Sequence, residues 1–101
     1  MSLFVVQHRH PAERCPARDQ RMGTMLLQHL SPASAKQHGL TIHGEAVVNN
    51  AHTLYMIVDA PDQQTVTRFM QPFAQAGSVE ILPASPCEAV VGRGGCEAAS
   101  G

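Results

Sequence analysis

The chain has 101 residues with Lys+Arg 7 against Asp+Glu 8 and a formal net charge of -1, and aromatic residues make up 4% of it, so it carries neither the basic footprint nor the stacking platform that nucleic-acid binding requires. That length makes one domain; no apolar run reaches the roughly 20 residues that span a bilayer, and the N-terminus has no basic region, long apolar core and cleavage site of a secretory signal, so no membrane is expected and the cytoplasm is the expected compartment. Charged residues are only 15%, below the about 25–35% suited to the surface of a small monomer, so a second copy is expected to cover part of the apolar surface in a homodimer.

Residues 3 to 10 read as the first strand. Phe4, Val6, His8 and His10 share one face and Leu3, Val5, Gln7 and Arg9 the other. Pro11 ends this strand, and Pro16 follows Cys15, so a short turn is expected to fold the thiol back toward the imidazoles. From about Arg18 to Leu30, Met22, Met25, Leu26 and Leu30 recur at helical spacing, with Asp19 near the start, where the helix dipole favours an anion. Ser31 as N-cap and Pro32 at the first helical position open a further helical turn that Gly39 ends.

Residues 40 to 48 alternate as a second strand, with Leu40, Ile42, Gly44, Ala46 and Val48 on one face and Thr41, His43, Glu45 and Val47 on the other. The turn Asn49-Asn50-Ala51-His52 leads into a third strand, Thr53 to Val58, paired with the second as a hairpin. Asp59-Ala60-Pro61-Asp62 stops that strand and opens a second main helix striped by Val66, Phe69, Met70, Phe73 and Ala74, bent late by Pro72 and ended at Gly77. Ser78 to Leu82 forms a fourth strand that resumes as Cys87 to Val91, and residues 93–101 form a small, flexible tail after a domain of residues 1–92.

Strand, helix, strand, strand, helix, strand is the split βαβ or ferredoxin-like plan of an α+β domain: a four-stranded antiparallel sheet with two helices on one face. The other face is left bare and apolar, which again points to a dimer. The run Val58-Asp59-Ala60-Pro61-Asp62 before the second main helix and Ala76-Gly77-Ser78-Val79-Glu80-Ile81 after it make residues 2 to 91 resemble the dimeric α/β-barrel superfamily. That resemblance implies a dimeric barrel and a setting shared with small monooxygenases, haem-degrading enzymes, chlorite dismutase-like proteins and small nickel-binding or uncharacterised proteins. It carries over no catalytic residue.

The chemistry comes from His8, His10 and Cys15. Two imidazoles two residues apart on a strand project to the same side, and the thiol five residues on can join them in a site for a transition-metal ion. Zinc, copper, nickel and iron all accept these ligands. A protein that holds or transfers such an ion, or uses it on a small molecule, is the leading reading. Two other readings stay open: an enzyme using Cys15 as a nucleophile activated by His8 or His10, and a non-catalytic association module.

Other candidates are weaker. His43 has Glu45 on its face and can supply a ligand or a supporting carboxylate, but an edge-strand histidine is the plainer reading. Cys87 on a resumed fourth strand can face the site or serve as a small buried residue. Cys96, in a glycine-rich tail, can swing over a site as a mobile ligand or simply dangle, the second being the plainer reading, and Met22, Met25 and Met70 are read as core side chains rather than copper ligands.

Overall fold

In a computed structural model, described over residues 1–97, the chain is an α+β unit whose four antiparallel strands lie in the order β2-β3-β1-β4. The strands are β1 (Ser2–Arg9), β2 (Thr41–Val48), β3 (Thr53–Ala60) and β4 (Ser78–Ala84). This order is consistent with a ferredoxin-like plan. Five helices accompany them among the described residues: α1 (Gln20–His29), α2 (Pro32–Gln37), α3 (Gln63–Phe69), α4 (Gln71–Ala74) and α5 (Cys87–Arg93). None of these helices is long and apolar enough to cross a membrane.

The core lies on one face of the sheet. Phe4 and Val6 of β1 and Leu54, Met56, Val58 and Ala60 of β3 are buried against Val66, Phe69, Met70 and Phe73. Local chemistry sets the helix starts: Asp19 accepts from the backbone N–H of Arg21 and Met22, Ser31 from that of Ser34, and Asp62 from the N–H and hydroxyl of Thr65. The two Thr65 bonds, hydroxyl first, hold the Asp62 carboxyl below its ordinary range. Gly39 ends α2 at a φ of 84°, a left-handed conformation that glycine adopts without a Cβ clash.

Four local expectations are corrected. The helix striped by Val66 to Ala74 is not bent but divided: Pro72 lies in the first turn of α4, after α3 has ended at Phe69, because the ring removes a backbone donor and crowds the preceding turn. Strand β4 does not stop at Leu82 but runs through Pro83 to Ala84, which an edge strand tolerates because one row of N–H groups needs no partner. The expected continuation of that strand is instead helix α5, so Cys87 is an exposed residue at a helix start. Met22 and Met25 are exposed rather than core, while Met70 is core; on α1 it is Leu26 and Leu30 that pack inward.

Strand β2 departs from simple alternation. Ile42 opposes Val58 and Gly44 opposes Ile57, so His43 is an extra residue in the ladder. Because opposed residues share a face, this bulge leaves Ile42 on the core side and puts Glu45 and Val47, opposite Met56 and Leu54, there too. Gly44, Ala46 and Val48 pass to the outer side. His43 itself pairs with Asp59.

The outer face is apolar at its centre. Val5 is flanked by Ile57 and Leu82, which are 46% and 48% exposed, with Tyr55 one row along. After α5, Gly94 takes a φ of 83°, and the Arg93 guanidinium donates to the Ser85 hydroxyl and to the carbonyls of Gly95 and Cys96. Of the expected tail, residues 98–101 lie outside the described residues.

Candidate metal centre

Three residues from separate segments converge where β1 ends. Ligand atoms of His10, Cys15 and His52 all lie within 4.8 Å of one another. Pro11 stops β1 just after His10, and two single-turn 3-10 helices, Ala12–Arg14 and Pro16–Arg18, meet at Cys15. Their bonds, Arg14 and Cys15 N–H to the carbonyls of Pro11 and Ala12, return the chain toward the strand it has just left.

His52 arrives from the hairpin. The β1–β3 register sets Arg9 opposite Thr53, and the next step brings His10 beside His52, whose carbonyl accepts the His10 N–H at 3.2 Å. His52 has a φ of 49° and Asn50 one of 66°. Histidine and asparagine are the side-chain types that most readily accept this left-handed region. The His10 and His52 rings meet edge to face with centroids 5.2 Å apart.

Both ring nitrogens of His10 are buried without a hydrogen-bond partner. Burial, followed by the neighbouring His52, lowers its pKa, which keeps the ring neutral and its lone pair free near pH 7. In a tetrahedral site, ligand atoms at about 2.0–2.3 Å from the ion lie roughly 3.3–3.8 Å apart. Closing from 4.8 Å takes side-chain rotation of about 1 Å, so His10, Cys15 and His52 are close enough to hold a metal ion.

Of the three residues expected to form the site, His10 and Cys15 are in this group. His8 stands next to it, its ring centroid 5.4 Å from that of His10. It is 2% exposed, and its Nε2 lies 2.9 Å from the Phe73 carbonyl; since a carbonyl only accepts, that nitrogen carries the hydrogen. Burial chiefly lowers the His8 pKa, the Phe73 bond opposes this, and His10 adds to the lowering. His43 and Cys87 lie outside the group, one paired with Asp59 and the other at the head of α5.

The His8 shift has a measurable consequence. A ring whose folded pKa falls below its ordinary value of 6.5 binds fewer protons folded than unfolded, so it contributes stability above about pH 6.5 that is lost as the pH falls toward the folded pKa. In the presence of chelator, the urea midpoint should therefore drop between pH 7 and pH 5. The His8→Gln variant, which keeps an N–H donor but does not titrate, should show a shallower drop; an equal drop would remove His8 as a source.

A cavity of about 540 Å³ opens beside the three residues. It is lined by His8, His10, Cys15 and His52 together with Leu26 and Leu30 of α1 and Leu54 of β3.

Compared with known proteins, the chain matches a family model described as "Domain of unknown function (DUF3303)" over residues 2–94. No curated protein and no solved structure gave a significant match.

Proposed function

Because the chain belongs to the DUF3303 family, whose description names no activity, the functional reading comes from the site, and we propose that the protein binds a transition-metal ion through His10, Cys15 and His52. The observation that carries this reading is the meeting of two imidazoles and a thiol, with both His10 nitrogens buried and unpartnered. Ring nitrogens withdrawn from solvent without a hydrogen-bond partner cost stability, and a bound ion would satisfy one of the two on His10. The donor set of two nitrogens and one sulfur suits zinc, copper, nickel or iron. Three protein ligands leave a position for water or a small molecule, which favours an open, reactive centre over a closed structural one.

Protein made without an affinity tag and dialysed against each of these ions should take up one equivalent of at least one of them per chain. Failure with all four would overturn the reading. A Cys15 nucleophile activated by His10 is disfavoured because a catalytic base is held in place by a third group and no residue among those described bonds to either His10 nitrogen; His8, which Phe73 does hold, is not one of the residues grouped with Cys15.

The working unit in this proposal is a homodimer closed by the outer sheet face. Its apolar centre of Val5, Ile57 and Leu82 has Arg9 and Glu80 toward one end, so a two-fold arrangement can set opposite charges against each other. Sedimentation should give a dimer for the native chain and a monomer for Ile57→Glu. Because Ile57 is already 46% exposed, that change should leave the fold of each chain intact. A native monomer at micromolar concentration would overturn the dimer.

A further inference from the structure

The geometry points to the cavity beside the metal centre as the binding site for a small, largely apolar molecule that places one donor atom on the ion. This inference rests on the metal reading and adds to it the class of ligand. The volume of about 540 Å³ falls among small-molecule pockets and far exceeds the voids of an ordinary packed core.

The walls are hydrocarbon. Leu26, Leu27 and Leu30 of α1 form one side and Val47 and Leu54 of the sheet the other, with Phe73 adjoining. Leu27 is 74% exposed and Val47 57% exposed although both line the space, so the chamber has a mouth through which a ligand can enter. Apolar surface left around an open chamber gains from covering by an apolar guest.

Apart from the site residues, the polar side chains among the described lining residues are Asn49, Asn50 and Glu45. His8, His10, Cys15 and His52 gather where the ion would sit, and Glu45 is the carboxylate among the described lining residues. It is there because of the bulge at His43, which turns Glu45 and Val47 to the core side. A divalent ion with one thiolate ligand keeps a single net positive charge, which a neutral or singly anionic donor suits. Glu45 repels a multiply charged guest such as a phosphate ester. The ligand class is therefore an apolar body with one neutral or singly charged metal-binding head.

The test uses the full-length protein loaded with Co²⁺, whose absorption bands report on the open coordination position. Imidazole and 4-phenylimidazole offer the metal the same donor, and only the second has an apolar body. The phenyl derivative should bind at least about tenfold more tightly because it buries its ring against the leucines. The Gly23→Leu variant fills the chamber from α1, where a Cβ at Gly23 meets nothing closer than the Pro16 carbonyl at 4.0 Å. It should erase the phenyl advantage while Co²⁺ uptake and imidazole binding stay unchanged, and Val47→Asp, which charges the opposite wall, should weaken 4-phenylimidazole more than imidazole. Equal affinity for the two imidazoles in a protein that takes up Co²⁺ would overturn this inference and leave the metal site standing. Failure to take up Co²⁺ would overturn this inference, and failure with zinc, copper, nickel and iron as well would overturn the metal reading beneath it.

Discussion

The His10→Leu variant should lose metal binding and yet gain thermal stability in the metal-free state. The two effects have one origin. Both His10 nitrogens are buried with no partner, so hydrocarbon of similar size removes an unmet polar group from the interior, while the ion loses a ligand. Changes to groups that merely support metal ligands typically weaken affinity about 10–100-fold, so removing a direct ligand should weaken it roughly a hundredfold or more. Cys15→Ser and His52→Asn should show comparable losses. Asparagine is chosen at position 52 because it accepts the φ of 49° found there, which separates loss of the ligand from backbone strain. His8→Gln should keep most of the affinity, because the His8 Nε2 is already engaged by Phe73. Calorimetric titration with metal, together with thermal melts in chelator, measures both quantities. Unchanged affinity in His10→Leu, or a collapse confined to His8→Gln, would refute the assignment.

Gly77→Ala should be the most damaging small substitution outside the site. A Cβ at residue 77 would stand 2.1 Å from the Arg9 carbonyl oxygen and 2.9 Å from both the Arg9 carbonyl carbon and the His10 Cα. These are backbone atoms in the central strand, so relief requires the end of β1 to move. Overpacking of a tight interior costs about 1–3 kcal/mol, and a contact this short against backbone belongs at the upper end of that range. The strand end that must move also carries His10, so metal affinity should fall as well, by about tenfold. Gly44→Ala provides the control, because a Cβ there meets nothing within 4 Å, and it should leave both stability and affinity near those of the native chain. Urea denaturation and metal titration of the two variants decide the matter; a harmless Gly77→Ala would show that the close approach is not maintained in solution.

Periodicity was enough to place all four strands and the main helices, because alternation in β1 and β3 and the stripe of Val66, Phe69, Met70 and Phe73 reflect burial directly. It failed where a single residue outweighs the pattern. Pro72 divides a continuous helical stripe, and Cys87 to Val91, apolar enough to resemble a strand, is helical. The bulge at His43 was also invisible, since Ile42 and Gly44 keep perfect alternation in sequence while occupying opposite sides of the sheet.

At the site, His10 and Cys15 were legible from local spacing. His52 is not, because it lies far along the chain in Asn49-Asn50-Ala51-His52, a run whose composition signals a turn. The signal that exposes it is pairing: once β1 lies beside β3 with Arg9 opposite Thr53, the residue after the first and the residue before the second must be neighbours, and both are histidines. Met22 and Met25 share the helical spacing of Leu26 and Leu30, but on α1 it is the leucines that pack on the core while both methionines are exposed, so the spacing alone does not say which members of the stripe meet the sheet.

The extra residue in β2 also shapes how the molecule can meet others. A straight outer ribbon would present an even row of amide and carbonyl groups, an invitation for a stray peptide to extend the sheet. The kink at His43 interrupts that row near its start, so growth by strand addition is discouraged along this rim.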